Sequence, residues 1–199
     1  MPAITSPGRS DLAHEPRSQY RRRRPRVYLA GPFTQHLVYE ADQEGVDAPK
    51  GTIGPTSEWR RVLLATAQAL EQAGWSVFLP HRDVSAWGDR NIGPGVVAQE
   101  CLEAVMASDA VIAFMAESFG THVEVGAALG SGVPTVVVRN TTSTESYFAS
   151  GVAASSWVGE LIVSRLDDLP SAVRNGAFQG ALDNASAARH MPSRRRSHA

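Results

Sequence analysis

The residue with the clearest chemical potential is Glu124, in the stretch SFGTHVEVGAALGSG from Ser118 to Gly132. A short apolar run, AVIAFM from Ala110 to Met115, precedes it. The spacing therefore predicts a strand that hands over to a helix starting near Thr121, with Glu124 in its first turn. Unpaired backbone N–H groups and the helix dipole favour an ionised carboxylate there, which suits a nucleophile. The same four residues, Thr121-His122-Val123-Glu124, also form a T-x-x-E capping box, in which Glu124 bonds back to the N–H of Thr121. Spacing leaves both roles open. Ser118 and Gly120 lie just ahead of the helix, where a hydroxyl and backbone donors either hold a phosphate or make a turn with an N-cap. His122 is either a neighbour that tunes the carboxylate or a solvated first-turn histidine.

A second feature is YLAGPF, Tyr28 to Phe33, in which Gly31 and Pro32 turn the chain sharply off an apolar strand. Such a turn brings backbone close to a ligand, or is only a turn. Neither a G-x-x-x-x-G-K-[ST] phosphate loop nor a G-x-G-x-x-G dinucleotide loop is present, which removes support for an ATPase or a conventional dehydrogenase. No His, Cys and Asp set has metal-ligand spacing, and the single cysteine, Cys101, excludes disulfide scaffolds and multi-cysteine metal sites. No metal and no cofactor is expected.

The elements that must position these residues follow a βα rhythm. Short β-branched runs at Arg26–Ala30, Trp75–Pro80, Ala110–Met115, Thr135–Val138 and Leu161–Val163 alternate with segments of helical period, and Gly, Pro, Ser or Asp marks each junction. The helices are expected from Ser57 to about Ala73, Val96 to Met106, Thr121 to Gly130, around 144–154, and onward from Leu169. Five strands, each followed by a helix or helical turn, imply an α/β three-layer sandwich with a five-stranded parallel sheet. Ligands in such sheets sit beyond the carboxyl ends of the strands, so the loops of interest are 31–56, 81–95, 116–124 and 139–148.

The chain has 199 residues, enough for one such domain. Its net charge of −1 conceals a segregation. Residues 1–26 hold seven Arg and residues 180–199 hold four, which leaves 8 basic against 17 acidic residues between them. An acidic centre lacks the clustered Lys and Arg that a nucleic-acid face needs, so no nucleic-acid partner is expected. The segments 1–25 and 180–199 are rich in Ser, Arg, Pro and Ala without apolar period, and are read as disordered tails around a catalytic domain at 26–179. No apolar run approaches the roughly 18 residues of a membrane span, and the first residues lack the apolar stretch of a secretory signal; a cytoplasmic protein with no membrane contact is expected.

Together the motifs resemble the nucleoside 2-deoxyribosyltransferase-like superfamily, whose members break or exchange N-glycosidic bonds. YLAGPF, ASDAVIAF (Ala107 to Phe114) and GTHVEVGAALGSGVP (Gly120 to Pro134) are similar to its first-strand loop, third strand and nucleophile helix. HRDVSAWG, His81 to Gly88, resembles a stretch of one branch, the nucleoside 5′-monophosphate N-glycosidases such as the CMP hydrolases of nucleoside-antibiotic pathways, with one residue more. The match spans about residues 26–150. It implies a flavodoxin-like (Rossmann-like) fold, Glu124 as the nucleophile, Ser118 with Gly120 and Thr121 at a 5′-phosphate, and Tyr28 beside the nucleophile. Counting back from Asp109, itself read as a structural residue of the helix-to-strand turn, Glu103 takes the place of the acid that protonates the leaving base, with Glu100 its rival. Gly31, Phe33, His81 and Trp87 are the candidates to hold base or sugar. Thr34 stands where the CMP hydrolases carry an Arg, so CMP itself is not implied. Family members complete their sites across a subunit interface, which implies a homodimer or higher assembly, with Ser146 or Tyr147 reaching a neighbour's pocket. The small-molecule partner is then a nucleotide or nucleoside.

Overall fold

The computed structural model describes residues 23–32, 37–38, 54–55, 57–115, 118–141, 151–152 and 158–189. Strand β1 (Arg26–Ala30) is followed by a two-residue antiparallel pair, β2 (Leu37–Val38) with β3 (Gly54–Pro55), within the long segment read as a loop. Helix α1 (Ser57–Gln72), β4 (Ser76–Phe78), the short α2 (Pro80–Asp83), α3 (Pro94–Met106), β5 (Ala110–Phe114) and α4 (Phe119–Gly130) come next. Then follow β6 (Thr135–Asn140), β7 (Val158–Val163), α5 (Leu169–Arg174) and α6 (Ala177–Arg189).

The main sheet has the order β4-β1-β5-β6-β7, and every pairing in it is parallel. Counting only these strands, the order is second, first, third, fourth, fifth, that of a flavodoxin-like sheet. It reverses between β1 and β5, where such sheets place ligands.

Side chains alternate across the pleat and feed two cores. Val27 and Leu29 join Trp59, Leu63 and Leu70 of α1, with Leu169, Phe178 and Leu182 from α5 and α6. Tyr28 and Ala30 face the other way, into a cluster with Cys101 and Val105 of α3 and Val125 and Ala128 of α4. Helices thus cover both faces, as the βα rhythm requires. All five residues of β5 are buried, which is why AVIAF reads as a continuous apolar run.

The carboxyl-terminal boundary expected at 179 is corrected. Residues 180–189 belong to α6, where Ala181, Leu182 and Ala185 are buried. Their period is carried mostly by alanine, too small to register as an apolar stripe but well suited to close packing. Helix α6 lies so near β7 that Gly159 has no room for a side chain: a Cβ there would overlap the carbonyl oxygen of Ala181 and stand 2.8 Å from its carbon.

Candidate active site

Helix α4 begins two residues earlier than the spacing suggested, and this changes the setting of Glu124. Ser118 is the N-cap, its hydroxyl oxygen accepting the N–H of Thr121 at 3.4 Å while its carbonyl accepts the N–H of His122 at 3.2 Å. Glu124 therefore lies in the second turn, beyond the unpaired N–H groups, and the expected capping box does not form. The serine upstream has taken that role. The hydroxyl proton of Ser118 stays available to donate. The buried Thr121 hydroxyl oxygen has no hydrogen-bond partner among the described residues.

The carboxylate of Glu124 instead accepts a hydrogen bond from the hydroxyl of Tyr28, at 2.6 Å and 96 positions away in sequence. This pair forms because β1 and β5 are neighbours and α4, leaving β5, folds back over the face to which Tyr28 points. Tyr28 is held rigidly: it is fully buried and its ring stacks on Phe78 with centroids 5.6 Å apart.

Burial outweighs the tyrosine. Desolvation pushes the Glu124 carboxyl up to about 7, although the Tyr28 hydrogen bond pulls it down. An ionised form favoured by the helix start was the expectation; the structure reverses the direction because the group sits inside, one turn too far along. The Tyr28 hydroxyl is raised well above its ordinary value, first by burial and then by the neighbouring carboxylate, so it remains a proton-bearing donor. A carboxyl poised near neutrality and held by one fixed donor can act as a nucleophile or exchange a proton at physiological pH.

The other expected site residues divide. Gly31 and Pro32 hold the turn after β1, but the group that approaches closely is Trp59, whose indole N–H donates to the Pro32 carbonyl at 2.9 Å. A Cβ on Gly31 would lie 3.0 Å from the Trp59 ring. Gly120 is exposed in the first turn of α4. His122 is clamped to the preceding turn, its Nδ1 2.6 Å from the Ser118 carbonyl, so that nitrogen carries the proton. Asp109 accepts from the backbone N–H of Arg26 at 2.6 Å and donates its own N–H to the Arg26 carbonyl, the structural role expected of it. Phe33, Thr34, Ser146 and Tyr147 lie outside the described residues.

His81 and Trp87 are not brought to the Tyr28–Glu124 pair. His81 is buried on α2, with its ring 5.9 Å from that of Trp87. Trp87 packs into the α1-side core with Arg60 4.6 Å above its ring. Ala86 and Trp87 both have positive φ, 47° and 63°, a strained turn that drives the indole inward. Within the same motif Asp83 accepts the N–H of Leu79 at 2.8 Å and Arg82 donates to the Val77 carbonyl at 2.9 Å, which pins α2 against β4.

Glu103 is exposed on α3 and takes a hydrogen bond from Gln99 at 2.9 Å; Glu100 is exposed as well. The α3 residue that faces the pair is Cys101. It is buried in the same core cluster as Tyr28. Sequence reasoning passed over it, although Cys101, Ala104 and Val105 follow the three- and four-residue spacing of an inward helix stripe. Among the described residues, no group of three or more His, Cys, Asp or Glu could hold a metal ion, and no helix is long and apolar enough to cross a membrane. A cavity of about 420 Å³ lined by Arg23, Arg24, Arg26, Ser76, Val77 and Phe78 lies at the amino-terminal ends of β1 and β4, away from the end where parallel sheets take ligands.

Neither a protein-family model nor a curated protein matches the chain by sequence. Solved structures do match in fold. The chain is similar to the solution structure of BlsM, with a TM-score of 0.61 and 20% identity over 85% of this chain and 96% of that one. It is similar to the CMP N-glycosidase BcmB of Clostridium botulinum, with a TM-score of 0.51 and 20% identity over 73% of this chain and 94% of that one. A conserved protein of Enterococcus faecalis V583 follows at a TM-score of 0.50 and 16% identity, covering 76% and 98%. The chain thus has the flavodoxin-like fold implied by its resemblance to the nucleoside 2-deoxyribosyltransferase-like superfamily, and shares that fold with a CMP N-glycosidase.

Proposed function

We propose that the protein is an N-glycosidase that hydrolyses the base–sugar bond of a pyrimidine nucleoside 5′-monophosphate, giving free base and ribose or deoxyribose 5-phosphate. The observation that carries this reading is the Tyr28–Glu124 hydrogen bond at the point where the strand order reverses. Structures sharing the fold include a CMP N-glycosidase.

In the first step an oxygen of ionised Glu124 attacks C1′. The C1′–N bond breaks, its electron pair leaves with the base, and a glycosyl ester remains on Glu124. The base takes up one proton from solvent water, since Glu103 and Glu100, the acids that the resemblance implied, lie on the exposed side of α3. In the second step water attacks C1′ and loses a proton, and Glu124 leaves as carboxylate, so that configuration is retained. Tyr28 donates to the carboxylate in the free enzyme and again as it departs. Ser118, Gly120 and the other N–H groups that open α4 are suited to the 5′-phosphate, since helix starts attract anions. Gly31, Phe33 and Thr34 of the loop after β1 are assigned to the base and sugar and Ser146 of a neighbouring copy to completing the pocket in a homodimer or larger assembly, whereas His81 and Trp87, packed away from the Tyr28–Glu124 pair, are not retained in this role. No cofactor takes part.

Transfer of the sugar to a second base is the close variant, because the same ester can be resolved by either acceptor. The test is to incubate the protein with ribo- and deoxynucleoside monophosphates and the parent nucleosides, with and without a second base, and to separate the products. Free base and sugar phosphate from a monophosphate support hydrolysis; a new nucleoside appearing only with added base indicates transfer. No turnover across the panel would leave a non-catalytic nucleotide-binding module.

The raised carboxyl predicts a pH profile. Glu124 must be ionised to attack, so kcat/KM should fall about tenfold per pH unit below an apparent value near 7. Tyr28→Phe removes the donor that lowers this value. Its acidic limb should move up by about one pH unit, the scale of one hydrogen bond to a charged group, and the rate at pH 7 should fall roughly fivefold. An unshifted limb would remove Tyr28 from the mechanism.

A further inference from the structure

Trp59 stands in the first turn of α1, buried, and meets the chain at the carboxyl ends of the two central strands. Its indole N–H donates to the carbonyl of Pro32, two residues past the end of β1, at 2.9 Å. Its six-membered ring lies against Gly31, where a Cβ would stand 3.0 Å from Cζ2. The same side chain meets Phe114, the last residue of β5, edge to face with ring centroids 4.9 Å apart. Strands β1 and β5 are the pair between which the strand order reverses. One rigid side chain therefore touches both strand ends that border the crevice where such sheets take ligands.

Two observations tie this contact to the turn and separate it from core filling alone. A buried indole needs an acceptor for its N–H, and the acceptor here is the backbone of the turn itself, 27 positions away in sequence. Gly31 does not have a positive φ, so its backbone conformation does not call for glycine; the nearness of the indole does. Because the bond is buried, breaking it would leave the Pro32 carbonyl without a partner, which holds the turn in one position.

We propose that Trp59 is a positioning residue that fixes the Gly31–Pro32 turn as one wall of the crevice and so sets how tightly the substrate is held. Its effect on substrate rests on the glycosidase reading above; its hold on the turn does not. Trp59 belongs to the α1-side core, whereas Tyr28, bonded to Glu124, belongs to the other. Losing the indole should therefore weaken binding and spare the chemical step, a rise in KM with kcat retained.

The experiment combines steady-state kinetics and urea denaturation of the full chain for Trp59→Phe, Gly31→Ala and the double variant. Phenylalanine keeps a ring in the core but lacks the N–H and Cζ2. It should raise KM for the nucleoside monophosphate that is turned over about fivefold, the scale of one lost hydrogen bond, with kcat changed less than about twofold. Gly31→Ala alone should also raise KM and lower the urea midpoint, because the methyl must displace the indole. In the Trp59→Phe background the atom it would meet is gone, so Gly31→Ala should add little to either effect. Additive losses of midpoint, an unchanged KM in Trp59→Phe, or a loss confined to kcat would overturn the proposal. In the wild type itself the Trp59 indole N–H should exchange slowly with deuterium by NMR, and rapid exchange would overturn the proposal whether or not either variant folds. Coupled midpoints in a protein that turns over no nucleotide would leave the hold on the turn standing and end the glycosidase reading.

Discussion

Glu124→Gln should abolish base release and at the same time make the protein more stable at alkaline pH. Both effects come from one buried carboxyl. The amide keeps the shape and can still accept the Tyr28 hydroxyl proton, so the fold is retained, but it cannot form the ester with C1′. Loss of a nucleophile in a covalent mechanism costs on the order of a thousandfold or more in kcat. The stability effect follows from linkage. The folded carboxyl binds its proton up to about pH 7, against an ordinary value of 4.5. Between these values the folded state holds more protons than the unfolded chain, so stability falls as pH rises through that window and is lowest above 7. The full penalty is on the order of 3 kcal/mol, and it is absent below about 4.5. Thermal melts at pH 5 and pH 8 should therefore show the wild type losing stability as pH rises and Glu124→Gln nearly unchanged by comparison. A variant that is inactive but no more stable at pH 8 would mean that the carboxyl is less buried than described; a variant that still releases base would end the nucleophile assignment.

Gly159→Ala should be the most damaging small substitution in the sheet. An added methyl would meet backbone on one side, at the carbonyl of Ala181, and Val136 Cγ2 at 3.1 Å on the other. Backbone cannot rotate aside as a side chain can. Either α6 lifts from β7 or the strand shifts within the sheet, at a cost of about 3 kcal/mol or more. Urea denaturation should show a midpoint well below the wild type, and amide exchange should quicken first in α6. An unchanged midpoint would show that α6 does not pack on β7 as described. Base release at low denaturant should survive in whatever fraction remains folded, because Tyr28 lies in the core on the opposite face with the part-buried Glu124 bonded to it.

Strand periodicity and turn residues were legible from the chain. Arg26–Ala30 and Ala110–Phe114 are short apolar runs closed by polar or glycine-bearing turns, and local physics suffices to mark them. Helix α6 escaped because its buried positions are mostly alanines, whose small area gives a faint stripe. The short α2 escaped because it is held by Asp83 and Arg82 bonding to residues of the β4 end, an interaction between side chain and strand that no spacing rule contains.

For the site the division is sharper. Residue types and order along the chain were enough to nominate Glu124 and to link it, by resemblance, with Tyr28. What the carboxylate does with its hydrogen bond was undecidable from four letters, T-x-x-E, since a capping box and a nucleophile share them. Three tertiary facts decided it: Ser118 caps the helix, which carries Glu124 into the second turn; β1 and β5 are neighbours, which brings Tyr28 within 2.6 Å; and burial between sheet and helices raises the acid to about 7. Desolvation depends on everything packed around a group, so it belongs to the folded whole and to no stretch of the chain.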